Sequence, residues 1–300
     1  WIETQNEGWW RFAFDYMGVP YTYMSDQALA NPGALDAYDV VVFPHVSGNV
    51  QTIVNGRPLV GPPIPWKKTE ETPHLGKFVD ASGRAWLDET DDVRKAMGLE
   101  GLAALRRFVE RGGLLVTEGN SVRVPIDFGL TPAVSVAPTP RLFARGSVYR
   151  AQAVTRENPI LYGYDQRTFP VYFNQAPLLN VQTGQGGPGG GGGGGTIESL
   201  RNREMEAQQA RLRPRVILRM HEKADSLLVS GTLNNGDEMA GRAVVVDAPL
   251  GQGHVVLFGI RPMWRWQTHG TFALVLNAMA NWNALDAGRR APPAADSEDR

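Results

Sequence analysis

A Gly-Gly pair at residues 112–113 joins a helical pattern to an apolar run, and this unit constrains the fold more than any other segment. Before the pair, apolar residues recur at helical spacing, at Leu99, Leu102, Leu105, Phe108 and Val109. Directly after it, residues 114–117 have the composition of a buried strand. Because a helix that ends in glycine and turns straight into a strand is a building unit of α/β proteins, the segment predicts an α/β fold.

Other segments repeat these two patterns. Residues 7–17 predict a first helix that Gly18 ends, and residues 271–282 predict a last helix. The predicted strands are residues 19–23, 39–44, 114–117, 147–154, 171–173, 215–220, 226–230, 242–247 and 254–260. Residues 47–98 carry many Gly, Pro and charged residues and are interpreted as a long excursion over the sheet edge. The concentration of strands in the second half predicts a β-rich C-terminal part.

Two segments have compositions that do not favour a packed core. Residues 184–195 are low in complexity, with an unbroken glycine run from Gly189, and the stretch up to residue 213 is charged and Gln-rich. Because strand patterns resume afterwards, residues 184–213 are interpreted as a flexible insertion within one domain that spans residues 1–285. The Ala-, Pro- and Arg-rich residues 286–300 predict a disordered tail.

Composition excludes several functions. The formal net charge of −1 gives no electrostatic reason to expect binding to nucleic acid or to an anionic membrane. The absence of cysteine excludes disulfides and thiolate zinc sites. No apolar stretch approaches the roughly 18 residues that a membrane-spanning helix needs, so membrane insertion is not expected.

The first candidate site follows the strand at residues 114–117. Glu118, Asn120 and Ser121 lie at its carboxyl end, the edge at which open α/β sheets bind ligands. They could line a pocket for a small polar ligand or a peptide end, or they could form a polar turn in which Ser121 caps the next helix. A serine hydrolase would need Ser121 together with His269 and Asp247, and the turn lacks the Gly-x-Ser-x-Gly pattern.

The second candidate site is the connection from the last strand to the last helix. It contains two Trp, two Arg and one His within residues 261–270, and its candidate ligand-binding residues are Arg261, Trp264, Trp266 and His269. Trp faces beside Arg can stack sugars, aromatic rings or cations. The alternative is that the two Trp seal a domain edge while residue 268 or 269 caps the last helix. Trp9, Trp10 and Arg11 could join the same surface or pack in the core.

Three segments together resemble one family. They are residues 7–11 (Glu-Gly-Trp-Trp-Arg) with 18–21 (Gly-Val-Pro-Tyr), residues 105–116 with their Gly-Gly pair, and residues 251–262 (Gly-Gln-Gly-His-Val-Val-Leu-Phe-Gly-Ile-Arg-Pro) running into 267–272. This combination resembles the C-terminal class I glutamine amidotransferase-like domain of large bacterial carboxypeptidase A-like zinc peptidases. The resemblance covers residues 1–285 apart from the insertion. It implies a three-layer, flavodoxin-like α/β fold whose first strand would sit just before Trp1.

The resemblance also implies what this domain lacks. The turn at residues 117–121 reads Thr-Glu-Gly-Asn-Ser where amidotransferase-like folds hold a nucleophilic Cys. The peptidase zinc site needs His-x-x-Glu, and none of the five His residues has Glu three positions later. We therefore expect no catalytic residue, metal ligand or cofactor in this chain, with zinc implied only for the peptidase domain upstream of it.

The leading hypothesis is a non-catalytic accessory domain of a secreted or periplasmic zinc carboxypeptidase. Its partners would be the upstream peptidase domain of the same polypeptide and a peptide or glycan. A stand-alone module that binds a small ligand or carbohydrate is the second hypothesis, and an unrecognised serine-type hydrolase is the third.

Overall fold

The fold is seen in a computed structural model that describes residues 1, 3, 5–79, 81, 85–182 and 212–289. The α-helices are α1 (Gln5–Met17), α2 (Val50–Asn55), α3 (Gly98–Glu110), α4 (Arg123–Asp127) and α5 (Phe272–Ala280). The strands of the first half are β1 (Val40–Phe43), β2 (Phe78–Val79), β3 (Ala85–Leu87), β4 (Leu114–Glu118), β5 (Val134–Val136) and β6 (Ser147–Ala153). Those of the second half are β7 (Thr168–Phe173), β8 (Leu179–Val181), β9 (Arg215–Met220), β10 (Leu228–Ser230), β11 (Ala243–Leu250) and β12 (Gly253–Phe258). Short 3-10 helices occupy Asp26–Ala30, Gly119–Val122, Pro159–Leu161, Ala224–Ser226, Gly236–Glu238, Trp264–Trp266 and His269–Thr271.

One mixed sheet of ten strands organises the described residues. Its main path runs β1-β4-β12-β11-β9-β6-β10, with β7 beside β6 and with β8 joining β11 to β5. The pairs β1–β4 and β4–β12 are parallel, and the other pairs are antiparallel. Leu114 opens β4 opposite Val40 on one side and His254 on the other, so the carboxyl ends of the three parallel strands meet at one edge.

Helices cover both faces of the parallel strands. Leu114 and Val116 of β4 share a core with α1 and α5, whereas Leu115 shares the opposite core with α2 and α3. This alternation follows from the two-residue period of a strand, and it explains why β4 is apolar at consecutive positions. The prediction of a three-layer, flavodoxin-like α/β fold with a β-rich C-terminal part is confirmed.

The predicted strand at residues 19–23 is wrong. No strand is assigned there, because a strand needs a neighbour to pair with and none of the described residues supplies one. The excursion at residues 47–98 holds α2, the small β2–β3 hairpin and an isolated bridge between Trp66 and Thr90.

The predicted insertion falls largely outside the described residues. Residues 183–211 are not described, and the strands on either side of them, β8 and β9, both pair with β11. The single domain over residues 1–285 therefore stays a prediction. Of the tail predicted at residues 286–300, residues 286–289 form turns, and the remainder lies outside the described residues.

Candidate functional site

The turn after β4 is built around a glycine with an unusual backbone conformation. Gly119 has φ +56°, in the left-handed region, and is the residue at which the strand bends into a short 3-10 helix. A Cβ on Gly119 would lie 2.6 Å from Nδ1 of His45. The strained position of the turn thus has no room for a side chain, reactive or otherwise.

The next two residues fasten this turn to the segment that follows β1. Ser121 is fully buried, its hydroxyl donates to the Pro44 carbonyl at 2.7 Å, and it accepts the N–H of Val46 at 2.9 Å. The side-chain amide of Asn120 donates to the Val46 and Gly48 carbonyls at 3.0 and 2.8 Å. The side chain of Ser121 makes no cap, contrary to the alternative from sequence. Both side chains join two strand ends.

Glu118 is a buried carboxyl group held by α1. Its Oε2 accepts a hydrogen bond from Asn6 Nδ2 at 2.8 Å and another from the indole N–H of Trp10, whereas Oε1 has no partner among the described residues. Burial raises the pKa of Glu118 to about 7. The hydrogen bond from Trp10, the charge of Arg261 and the hydrogen bond from Asn6 each lower this pKa, but together by less than burial raises it. The carboxyl group is therefore protonated more readily in the folded protein than an exposed glutamate is.

His45 and Arg261 complete the polar cluster from the two neighbouring strands. Arg261 Nη2 lies 2.9 Å from His45 Nε2, and the N–H of Asn120 donates to His45 Nδ1 at 2.9 Å. The two donors face different ring nitrogens, and a neutral imidazole has only one acceptor nitrogen, so His45 can accept from Asn120 or from Arg261 but not from both; a second proton would leave neither donor an acceptor. Burial and the charge of Arg261 lower the pKa of His45 to about 4.

The cluster of Asn6, His45, Glu118, Asn120 and Arg261 gathers polar groups at the carboxyl ends of all three parallel strands. Glu118, His45 and Arg261 are all less than a tenth exposed. Their contacts connect α1, β1, β4 and the segment after β12 to one another. We conclude that this edge fastens elements together with buried hydrogen bonds, and that a substrate in solvent does not reach its carboxyl group directly.

The loop after β12, residues 261–270, is called the aromatic loop. Of its two tryptophans, one packs in the core and the other lies at the surface. Trp264 is 9% exposed, stacks on Tyr172 at 5.9 Å, and has the Arg261 guanidinium 5.0 Å from its ring. Trp266 is only half-buried. Arg265, Trp266 and Thr268 have φ of 53°, 55° and 46°, a left-handed conformation that non-glycine residues seldom adopt.

This backbone brings Trp266 against the outer side of α1. Its ring lies 4.7 Å from Tyr16, 5.2 Å from Phe12 and 5.0 Å from His269. Trp9 extends the group, with its ring 6.0 Å from that of Phe12. Phe12 is 46% exposed and Tyr16 73% exposed. We call Trp9, Phe12, Tyr16, Trp266 and His269 the aromatic surface.

A second buried charge cluster lies towards the amino end of β12. Asp247 is fully buried, and its carboxylate lies 2.6 Å from His254 Nδ1 and 2.9 Å from Arg215 Nη2. Burial alone would raise the pKa of Asp247, but the hydrogen bond from His254 and the charges of Arg215 and Arg289 hold it below its ordinary value. Arg289 lies 3.6 Å from the same carboxylate. This cluster ties the turn at residues 286–289 to the sheet.

The three residues of the serine hydrolase hypothesis have separate partners. The hydroxyl of Ser121 bonds Pro44 and Val46, Asp247 is held by its own cluster, and the His269 ring lies against Trp266 and Phe272. Within the described part of the chain, no group of three or more His, Asp or Glu side chains is placed to hold a metal ion. No helix among the described residues is long and apolar enough to cross a bilayer.

The sequence-predicted residues thus fall into two groups. Glu118, Asn120, Ser121 and Arg261 join the polar cluster, whereas Trp266 and His269 belong to the aromatic surface, and Trp264 lies between them. Sequence reasoning missed His45 and Asn6. His45 could have been found, because it follows β1 at the same edge as Glu118, whereas nothing in the sequence around Asn6 marks it as polar and buried.

Comparisons with known proteins give likenesses of fold only. No protein-family model and no curated protein matches the chain. A cytoplasmic protein from Salmonella typhimurium is 14% identical, with 92% of this chain and 86% of that chain covered and a TM-score of 0.45. A ThuA-like protein from Bacteroides uniformis is 10% identical, covering 96% of this chain and 86% of its own, also with a TM-score of 0.45.

A ThuA-like protein from Parabacteroides merdae is 12% identical, with 66% and 70% covered and a TM-score of 0.38. ThuA-like proteins have a class I glutamine amidotransferase-like fold. The fold assignment of this chain rests on its strand order and helix placement, and the carboxypeptidase part of the resemblance stays a proposal.

Proposed function

We propose that this chain is a non-catalytic accessory domain of a secreted or periplasmic zinc carboxypeptidase-like protein. In this proposal the zinc and the catalytic residues belong to the peptidase domain upstream in the same polypeptide. This domain packs against the peptidase domain through the aromatic surface, and the rim of that surface is free to contact a peptide or glycan.

The aromatic surface is the observation that supports this proposal. Exposed aromatic residues gathered at one place are unusual on a soluble domain and are typical of protein and carbohydrate contacts. Phe12 and Tyr16 on α1 present their rings beside Trp266, and the left-handed backbone at Arg265 and Trp266 is what turns Trp266 towards them. Backbone strain of this kind persists where the surrounding structure enforces it, often at functional positions.

The buried polar cluster supports the non-catalytic part of the proposal. The strained turn residue is Gly119, and both hydrogen bonds of the Ser121 hydroxyl are made within the protein. A nucleophile must reach its substrate and have a base beside it. The contacts at this edge instead link strand ends, as expected of a scaffold.

Hydroxyl-radical footprinting of the full polypeptide and of residues 1–300 alone tests the proposal. We expect Phe12, Tyr16 and Trp266 to be oxidised several times more slowly in the full polypeptide, because docking buries them. Phe143 and Tyr162, which are 42% and 49% exposed, serve as matched aromatic controls that react equally in both. Equal oxidation of Trp266 in both proteins would contradict docking.

A titration distinguishes the stand-alone binding module, which the same aromatic surface also favours. Tryptophan fluorescence of residues 1–300 is followed as a soluble β-linked hexasaccharide is added, with the Trp266→Ala variant beside it. Saturable quenching that Trp266→Ala removes, combined with equal footprints in the full polypeptide, would favour a carbohydrate-binding module over the accessory domain.

A further inference from the structure

A run of proline and large apolar residues lies exposed between α2 and β2. Residues 58–65 read Pro-Leu-Val-Gly-Pro-Pro-Ile-Pro, and every one of them is exposed. Leu59, Val60 and Ile64 are each more than half exposed. Apolar side chains gathered in one exposed patch are typical of an interaction site, because their contact with water is unfavourable. We call residues 58–65 the proline loop.

The segment after β3 fastens the proline loop to the rest of the domain. The N–H of Val93 donates to the Ile64 carbonyl at 2.9 Å, and Arg94 Nη1 donates to the Val60 carbonyl at 2.6 Å. Arg94 is itself buried and donates to the buried carboxylate of Asp92 at 2.8 and 2.6 Å. The exposed side chains are therefore presented on a fixed backbone, which a partner would not have to order on binding.

Proline also restricts the backbone of residues 62–65 directly. Each proline ring fixes φ at about −65°, and a residue that precedes proline is biased away from the helical region. Pro62 and Ile64 both precede a proline, and in the described chain residues 62–65 belong to neither a helix nor a strand. These restraints favour a polyproline II conformation, which has three residues per turn. Pro62 and Pro65 then lie one turn apart on the same side.

Free carbonyl groups accompany the exposed proline rings. None of the described residues donates a hydrogen bond to the carbonyl of Pro62 or of Pro63. Grooves lined by aromatic side chains recognise polyproline II segments, because proline rings pack against Tyr and Trp faces. The hydroxyl of Tyr and the indole N–H of Trp are also donors that suit free carbonyl groups.

A cation follows the last proline at a short distance along the chain. Lys67 is two residues after Pro65, and its ammonium group lies 2.5 Å from the carboxylate of Asp91. Both side chains of this ion pair are exposed. Because an ion pair between exposed side chains contributes little to stability, a carboxylate of a partner can take the place of Asp91. The segment thus presents two prolines one turn apart with a cation beside them.

We propose that the proline loop is a docking segment for a partner protein whose groove is lined by Tyr and Trp and has a carboxylate at one end. The rings of Pro62 and Pro65 enter the groove, and Lys67 contacts the carboxylate. Tyr and Trp donors of the groove bind the carbonyl groups of Pro62 and Pro63. The proline loop contains none of the aromatic-surface residues, so this docking does not depend on the accessory-domain proposal.

Titration of an isolated SH3 domain with residues 1–300 tests this docking. The probe is an isotope-labelled SH3 domain that accepts Pro-x-x-Pro-x-Lys peptides, and the indole N–H signal of the tryptophan in its groove is followed. We expect saturable binding that Pro62→Ala combined with Pro65→Ala weakens by at least about tenfold. Pro138→Ala combined with Pro140→Ala, at two exposed prolines outside the loop, is the matched control and should leave the affinity unchanged.

Lys67→Glu is a second variant that keeps every proline. It should weaken binding several-fold, because it reverses the charge that faces the carboxylate of the groove, and an unchanged affinity would overturn that contact. The thermal unfolding midpoint shows whether each variant is folded. Absence of saturable binding to the folded wild-type chain would overturn the proposal, as would equal affinities of the two proline variants. Self-association of residues 1–300 in sedimentation that Pro62→Ala with Pro65→Ala removes would make the occupant a second copy and overturn it as well.

Discussion

Trp10 donates its indole N–H to Oε2 of Glu118, so an aromatic residue of α1 is bonded to the carboxyl group that ends the central parallel strand. The pair joins elements that are more than a hundred residues apart in the chain. It also fixes where a buried titratable group lies. The pH dependence of stability should therefore report on this contact.

The first prediction concerns Glu118→Gln. Since the pKa of Glu118 is raised from 4.5 to about 7 on folding, its stabilising contribution is present below pH 4.5 and is lost as pH rises through 7. Gln cannot ionise and keeps an acceptor for Trp10 and Asn6. We expect the free energy of unfolding of the variant, relative to the wild-type protein, to increase by about 3 kcal/mol between pH 4.5 and pH 8.

Urea unfolding across this pH range measures the difference. His45 acts in the opposite direction, because its lowered pKa makes its contribution fade as pH falls from 6.5 to about 4. The comparison with the variant cancels that contribution as long as His45 is present in both proteins. Glu110→Gln, at a 40% exposed side chain paired with Arg106, is the matched control and should show no such trend. A pH-independent difference for Glu118→Gln would contradict the raised pKa.

The second prediction concerns the turn glycine. Gly119→Ala forces an alanine to φ +56° and places its Cβ 2.6 Å from the His45 ring, so the backbone or the ring must shift. Gly129→Ala is the matched control, since Gly129 has φ +72° with nothing within 4 Å of its Cβ position. The control should lose about 1–2 kcal/mol of unfolding free energy from its backbone alone. Gly119→Ala should lose a further 1–3 kcal/mol or so, about the cost of overpacking against His45. Equal losses of unfolding free energy in the two variants would show that the His45 ring moves aside at no cost.

The third prediction concerns the buried carboxylate Asp247. Asp247→Asn removes the charge that faces Arg215 and Arg289, and it should cost about 3–5 kcal/mol of unfolding free energy at pH 7. Asp237→Asn, at an exposed pair with Arg141, should cost less than about 1 kcal/mol.

The pH dependence of the same variant adds a second check. Because the pKa of Asp247 is lowered on folding, its contribution is present above pH 3.8 and is lost as pH falls through the folded value. The difference between wild-type and Asp247→Asn proteins should therefore shrink in acid. A difference that stays constant down to pH 2 would assign the loss to packing instead.

The fourth prediction is catalytic silence. Purified residues 1–300 should show no glutaminase, esterase or carboxypeptidase activity above a blank, with or without added zinc. The reason is that the Ser121 hydroxyl is buried and already bonded, and that Gly119 has no side chain. Turnover that Ser121→Ala or Glu118→Gln abolishes would contradict this prediction and the proposed function with it.

Sequence patterns were sufficient where one element is amphipathic or buried along its whole length. The helix before Gly112 and the strand after Gly113 were predictable because their periods are clear. Glu118 and Arg261 were assigned from sequence to two separate candidate sites, and they lie in one polar cluster because β4 and β12 are neighbours in the sheet. Residues 19–23 were not predictable in the same way, because a strand depends on a partner that the local sequence does not contain.

The positions of the side chains in the aromatic loop could not be predicted from the sequence for a different reason. Trp264 and Trp266 are two residues apart and look equivalent in sequence. The left-handed backbone at Arg265 breaks the regular alternation, so one ring packs on Tyr172 and the other on Tyr16. His45 was missed because its role comes from the neighbouring strand end and not from its own sequence context.

The buried charge cluster around Asp247 determines how far the chain can be shortened before the protein loses stability. Arg215 donates to the carbonyls of Leu285 and Ala287, and Arg289 donates to the carbonyl of Arg213. Trimming the chain after α5 would remove the Leu285 and Ala287 carbonyls together with Arg289, one of the guanidinium groups that neutralise Asp247. A truncated form intended for crystallisation or tagging should therefore retain every residue through 289.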